Sequence, residues 1–292
     1  MLNTHTYYSL KYGTVDPKDQ LQLMRVLGYD RYAITDINNT SALLDSLRIS
    51  PKHGITPVFG IDFRNGVKQQ FVALAKNNEG FQEMNEFLSD HLHRGEAIPF
   101  QAPEFKHCYV IYPFQHYRGQ QLRDFEFVGL HPRDLPRFRI HDYKIPRTHL
   151  VSMLTMSFRD KRDFNAHRLL RAIDKNTLLS KLELEEQGFE SDRFCSKAEL
   201  KAKYDEAPDL FERAEELLKN CEFEFDFGDE KTHKNQQTYT GSHLEDYQLI
   251  RKLAREGLRY RYHNPNKQVR ARLEKELEII KQNVLEEACT QN

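Results

Sequence analysis

The feature that most constrains the fold is an alternation of short apolar runs with amphipathic runs over the first two-thirds of the chain. The apolar runs are "RYAITD", "TPVFGIDF", "QFVALA", "HCYVIYP", "EFVGL" and "HLVSML". Between them lie helical stretches such as "DPKDQLQLMRVLG", which has Asp16 as an N-cap, Pro17 at the first helical position and Gly28 as a stop. Strands separated by helices favour parallel βαβ units, so the predicted fold class is α/β, with the strands arranged as a barrel.

Polar side chains are expected to meet at one end of this barrel. The carboxyl ends of parallel strands share one edge, where barrel enzymes keep their chemistry, and His5, Asp36 and Asp62 each follow a predicted strand. In the opening phrase "NTHTYYSLKYG", Asn3 stands where a second histidine would let two imidazoles bind a divalent ion. The sequence therefore leaves two alternatives, a metal enzyme with an unusual first ligand or a fold that has lost its metal.

The composition of the 292 residues, 39% hydrophobic and 30% charged, predicts a folded globular protein rather than a disordered one. The apolar runs are too short to cross a bilayer and the first residues lack the features of a signal peptide, so we expect a cytoplasmic protein without a membrane partner. The four cysteines have no CxxC or CxxH spacing, which argues against a zinc ribbon or a disulfide framework.

After Asn165 only helices are predicted, and the chain divides into a domain at 1–228, a polar linker at 229–241 and a helical segment at 242–292. The helical segment is basic between residues 251 and 275. Its cations are candidates for contact with nucleic acid or with another protein region: Arg251, Lys252, Arg255, Arg259, Arg261, Arg270 and Arg272. A solvated helix face explains the same pattern, so contact with DNA is expected to be weak or indirect.

Several phrases, in order along the chain, resemble the amino-terminal region of the bacterial replicative DNA polymerase III alpha subunit. They include "THTYYSLKYGTVDPKDQLQLMRVLGYDRYAITD", "GITPVFGIDFRNG", "ALAKNNEGFQEMNEFLS" and "FERAEELLKNCEFEFDFG". That region is a PHP (polymerase and histidinol phosphatase) domain. The resemblance implies a distorted seven-stranded (β/α) barrel, followed by a helical segment that leads toward a polymerase core absent from this sequence. It implies two partners, the remainder of the alpha subunit and, in some relatives, the proofreading exonuclease subunit.

Active members of this family bind a cluster of divalent metals and hydrolyse phosphoesters. Most positions that match their ligands hold other residues here: Asn3, Tyr12, Ile37, Gln70, Phe114, Thr155 and Ser157. Only His5 and Asp62 retain ligand chemistry, with Asp36 as a neighbouring acid. A hydrolytic site needs about three protein ligands per metal, so the resemblance implies a vestigial site, no catalytic residue and no cofactor. We expect Tyr12, Ile37 and Phe114 to fill the vacated space.

Other interpretations stay open. In the simplest, His5 is a hydrogen-bonded histidine at a strand end, Asp36 caps a helix near Asn39 or binds His5, and Asp62 pairs with Arg64 or with a nearby loop amide. In a second, the chain is an active phosphoesterase that holds zinc or manganese with non-standard ligands, for which the candidates are His107, His116 and His167. In a third, the basic segment is a DNA-binding module. The polymerase acids of the family have no match in this sequence, so we predict that the chain does not copy DNA by itself.

Overall fold

A curved sheet forms the centre of the first of two compact units, residues 1–225 and 226–292. The structure, a computed structural model, describes residues 1–140, 144–228 and 238–290. Its strands are β1 Asn3–Thr4, β2 Arg31–Ile34, β3 Thr56–Asn65, β4 Lys68–Ala75, β5 Cys108–Pro113, β6 Glu126–Leu130, β7 Leu150–Ser152 and β8 Thr155–Met156. Strands β2 to β7 form a six-stranded sheet in chain order, and β1 pairs in parallel with β8.

The helices of the first unit follow the predicted pattern, apart from a short helix after β6 that was not predicted. They are α1 Pro17–Val26, α2 Ala42–His53, α3 Asn78–Arg94, α4 Leu135–Ile140, α5 Lys161–Asp174, α6 Lys197–Ala202 and α7 Pro208–Lys219. Helix α1 begins as the sequence predicts, because the Asp16 carboxylate accepts a hydrogen bond from the Lys18 amide (2.8 Å) and Pro17 follows it. Gly28 lies just beyond its end with φ of 86°, a conformation that suits glycine.

The strands are not all parallel, which corrects the prediction from the βαβ pattern. Strand β4 is antiparallel to both β3 and β5. Only Gly66 and Val67 separate β3 from β4, and a parallel crossover needs a dozen residues or more. Gly66 adopts φ of 62° in this tight turn. The prediction that β3 ends at Asp62 is also wrong, because the strand continues for three more residues, to Asn65.

The described strands form two sheets rather than a single seven-stranded ring. Backbone hydrogen bonds nevertheless join them, because the amides of Ala33 in β2 and of Thr35 just after it donate to the carbonyls of Met1 and Thr4 (both 2.9 Å). The result is a mixed α/β fold with a curled sheet, consistent with a PHP-type barrel. In this fold, β1 and β8 lie close to the part of β3 that contains Asp62.

Apolar side chains from both faces of the sheet bury this region. Leu21 and Met24 of α1 are fully buried with Tyr32 of β2, as the helical stripe predicts. Phe63 and Phe71 pack against each other across the β3 and β4 hairpin, with ring centroids 4.7 Å apart. Among the described residues, no helix is long and apolar enough to cross a membrane.

The second unit contains two helices, α8 His243–Arg261 and α9 Lys267–Thr290. Helix α8 is capped by Ser242, whose hydroxyl accepts a hydrogen bond from the Glu245 amide (3.3 Å). In α9 the stripe of Val269, Leu273, Leu277 and Ile280 is at least half-buried, and Leu277 is the most buried of the four. Residues 229–237 of the predicted linker lie outside the described residues.

Candidate functional site at the end of strand β1

Five of the positions that match family ligands meet in one buried hydrogen-bond network: Asn3, His5, Asp62, Thr155 and Ser157. Asn3 is the first residue of β1, and its amide donates to Thr155 Oγ1 (2.9 Å) and, more weakly, to Asp62 Oδ2 (3.4 Å). Thr35 donates to the Asn3 side-chain carbonyl (2.6 Å). The pairing of β1 with β8 places Asn3 beside Thr155, so the backbone register determines this contact.

His5 uses both of its ring nitrogens within this network. Nε2 lies 3.0 Å from Asp62 Oδ2, and Nδ1 lies 2.8 Å from the Ser157 hydroxyl. A carboxylate only accepts, so Nε2 carries the hydrogen and Nδ1 accepts from Ser157. Burial, together with the positive charge of Arg64, lowers the pKa of His5, which keeps the ring neutral.

Asp62 is fully buried and is held by an internal cation. Its Oδ2 accepts from Arg64 Nη2 (2.7 Å) and Nε (3.0 Å), and also from Gln69 Nε2 (2.9 Å). Burial opposes ionisation of Asp62, but the Arg64 charge and the His5 hydrogen bond outweigh it and lower the pKa of the carboxyl well below its usual range. The predicted pairing of Asp62 with Arg64 is confirmed. Gln69 was not among the predicted site residues, because the family pattern points to the adjacent Gln70.

Tyr12 occupies the space beside this ion pair. Its ring lies edge-on to His5 (centroids 5.5 Å apart) and to His167 (4.4 Å), and the Arg64 guanidinium lies 5.2 Å from its centroid. His167 is neutral on geometric grounds, because Nδ1 contacts the Tyr12 carbonyl (2.8 Å) and Nε2 accepts from the Gly188 amide (2.9 Å). Burial lowers the pKa of His167 to about 4.

Asp36 has a different partner from either of the two predicted. It neither caps a helix nor binds His5, because its carboxylate accepts from the Thr6 amide (2.7 Å) and from the hydroxyls of Thr6 and Ser9 (both 2.6 Å). Burial raises the pKa of Asp36 in spite of these bonds. The side chain therefore fixes the loop after β1, and no pattern in the sequence indicated Ser9 as its partner.

A cleft of about 440 Å³ lies beside the network. Tyr12 and Phe114 line it, so they do not fill the whole of the expected space, and Ile37 contributes a backbone bridge to Asp62 instead. Arg64 and Asp192 also face this cleft, and burial raises the pKa of Asp192 to about 6.

The residues present do not fit a hydrolytic metal cluster. Both His5 nitrogens and one Asp62 oxygen already have protein partners, and the described residues contain no group of three or more His, Cys, Asp or Glu side chains arranged for a metal. The other Asp62 oxygen, Oδ1, is buried and has no hydrogen-bond partner among the described residues. A catalytic ion needs about three protein ligands, and this single oxygen supplies one.

The alternative ligands do not converge. His116 lines the cleft and its Nδ1 contacts the Gln69 carbonyl (2.8 Å), whereas His107 lies near Asn77 at the start of α3 (3.4 Å). His167 is separated from His5 by the Tyr12 ring.

The seven basic residues of the helical segment are all exposed, and some of them are paired. Arg255 contacts Glu274 (2.9 Å), and Arg272 contacts Glu276 (2.5 Å). Arg270 donates to the Pro265 carbonyl (3.0 Å). Among the described residues, five of the seven have no ion pair: Arg251, Lys252, Arg259, Arg261 and Arg270.

The first comparison with known proteins is with a family model. Residues 2–127 match the family model of the PHP domain. This range contains most of the positions that match family ligands, including Asn3, His5 and Asp62. The predicted resemblance to a PHP domain is therefore confirmed.

A relative can then be named. The chain is 22% identical over 261 residues to the DNA polymerase III subunit alpha of Streptococcus pyogenes. The similarity covers 84% of this chain but only 23% of the relative. The predicted resemblance to the polymerase III alpha subunit is thus confirmed at the level of sequence similarity.

The buried ion pair gives a first test. Replacing Arg64 by Met leaves the Asp62 carboxylate buried without its cation, and we expect a loss of about 3–5 kcal/mol in the free energy of unfolding, measured by urea denaturation. Changing Asp62 to Asn in the same chain should recover part of the loss, because both charges are then gone. The matched control is Arg94→Met, which removes an exposed partner of Asp90 and should cost less than about 1 kcal/mol. Equal losses for Arg64→Met and Arg94→Met would contradict the assignment.

His167 gives a test by pH. Its folded pKa is about 4 and lies below the unfolded value of 6.5, so the unfolded chain takes up the proton first. Stability is therefore complete above about pH 6.5 and falls as the pH drops toward about 4, by up to about 3 kcal/mol from this group. In His167→Gln, which keeps a donor and an acceptor, the fall between these pH values should be smaller by that amount. His93→Gln, at an exposed position, serves as the control and should leave the pH profile unchanged.

Proposed function

We propose that this chain is the amino-terminal PHP portion of a bacterial replicative DNA polymerase III alpha subunit, acting in DNA replication. In this proposal its metal site is degenerate, it is not itself catalytic, and its role is to stabilise the rest of the subunit and to offer a docking surface. A cytoplasmic location and, as a further partner, the proofreading exonuclease subunit belong to the same proposal. The barrel would count seven strands if β7 and β8, which are two residues apart, are one interrupted strand.

One observation carries the loss of metal. Asp62 stands at a ligand position, and the charge that neutralises it comes from Arg64, two residues along the same strand. A guanidinium is always charged and is attached to the chain, so it neutralises the carboxylate without an open coordination position. An activated water needs that open position, and therefore the arrangement favours structure over hydrolysis.

The second candidate function is a metal-dependent phosphoesterase or 3′ to 5′ exonuclease that uses zinc or manganese. The observation that favours it is the unpartnered Asp62 Oδ1 near a cleft that contains His116 and Asp192. Under this alternative, the hydrogen bonds of His5 would have to be exchanged for metal bonds.

Metal content separates the two candidates. After purification without chelator and dialysis against trace zinc and manganese, plasma mass spectrometry should find close to zero ions per chain. Hydrolysis of bis(p-nitrophenyl) phosphate should be absent. Replacing His5 by Ala should alter neither result and should cost about 1–3 kcal/mol of stability, from the lost buried hydrogen bonds. Stoichiometric metal, or hydrolysis that disappears in His5→Ala, would establish the second candidate instead.

The structural role predicts association with the rest of such a subunit. An alpha subunit from the same cells, shortened by the region that matches this chain, should form a complex with it in analytical size-exclusion chromatography. The thermal unfolding temperature of the shortened alpha subunit should rise when this chain is added, because a partner that binds only the folded state of a protein stabilises that state. Separate elution together with an unchanged unfolding temperature would refute this role, whatever the metal content.

A further inference from the structure

The second unit carries a groove in which cations outnumber carboxylates. Two clefts of about 390 and 320 Å³ lie along α8 and at the turn between α8 and α9, and they share Arg255 and Arg259. Together they form what is called here the basic groove, which is lined by five cations and two carboxylates: Arg251, Lys252, Arg255, Arg259, Arg270, Glu256 and Glu274. The groove therefore has an excess of positive charge.

Part of this charge forms no ion pair among the described residues. The Glu274 carboxylate forms an ion pair with Arg255. Arg251, Lys252 and Arg259 are exposed, and the described residues provide no ion pair for them. Arg251 and Arg259 are eight positions apart, which is about 12 Å along the helix axis and about 80° around it, so with Arg255 between them they form a slanted row along α8. Such a row matches the length of several phosphates of a nucleic acid strand.

Exposed aromatic rings stand where the row ends. Tyr262 lines the groove beside Arg259 and is 47% exposed, and Tyr260 is 90% exposed. Tyrosine at such exposure contributes nothing to a core, but its flat face is available for stacking. His263 lines the same end of the groove.

We propose that the basic groove binds single-stranded nucleic acid. Arg251, Lys252 and Arg259 contact the phosphates, and Tyr262 and Tyr260 stack on bases at the turn. A positively charged groove with exposed aromatic rings beside it is the arrangement that binds single strands without reading their sequence. Duplex bases are stacked on each other and cannot reach the tyrosines, so single strands are preferred.

The test is fluorescence anisotropy of the full chain with labelled oligothymidylate, oligouridylate and duplex DNA of about 20 nucleotides, at about 50 to 200 mM salt. Single strands should bind more tightly than duplex, and the comparison of the two single-stranded probes distinguishes DNA from RNA. The double variant Tyr260→Ala with Tyr262→Ala should weaken binding at least about 5-fold and leave the salt dependence unchanged.

Loss of phosphate contacts should have a different signature. Arg251→Ala with Arg259→Ala should lower the slope of log affinity against log salt by about 1.4, the value for two contacts on a single strand. Arg25→Ala with Lys52→Ala changes the net charge equally at exposed positions of the first unit and should change neither affinity nor slope. Circular dichroism establishes that the helices persist in every variant. Equal binding of duplex and single strands, or no effect of the tyrosine variant, would overturn the proposal.

Discussion

The site depends on one buried ion pair, that of Asp62 with Arg64. Taking a carboxylate and a guanidinium out of water costs several kcal/mol for each ion, and only close geometry with further hydrogen bonds compensates for it. Here Arg64 donates twice to the same oxygen that Gln69 and His5 also contact. The negative charge in turn determines which His5 nitrogen carries the hydrogen, and so orients Ser157.

The network also explains how the barrel end stays packed with polar groups in its interior. Asn3, Thr155 and Ser157 have short side chains that can both donate and accept hydrogen bonds. Each therefore forms a hydrogen bond with a neighbouring side chain of the protein. Tyr12 adds apolar bulk against His5 and His167. Polar satisfaction and packing together stabilise this end of the barrel. Among the described residues, the Asp62 oxygen Oδ1 is the carboxylate atom that they leave without a hydrogen bond.

The sequence predicted those parts of the fold that local rules determine. The cap at Asp16 and the apolar faces of the helices depend on neighbouring residues, and the structure has them. The pattern of apolar runs alone does not show that β4 is antiparallel to β3. The short connection between the two strands does, and Gly66 marks its tight turn. The predicted partner of Asp36 was wrong for a different reason. Thr6 and Ser9 approach Asp36 because β1 lies beside β2. That contact belongs to the tertiary structure and cannot be deduced from neighbouring residues in the sequence.

Gln69 illustrates the limit for the site. Family positions identify Gln70, but the register of β3 with β4 shifts between Phe63 and Arg64, so that Gln70 has no partner on β3. Gln69 lies opposite Arg64 and reaches Asp62 from there. A register difference of one residue cannot be resolved from a single sequence.

The position of Asp62 inside a strand makes its counter-charge local. Side chains two apart in a strand share a face, so Asp62 and Arg64 meet without help from any distant part of the chain, while Phe63 turns into the core. The counter-charge is therefore tethered to the carboxylate through β3 alone. Its position does not depend on the strands that carry Asn3, His5 and Ser157.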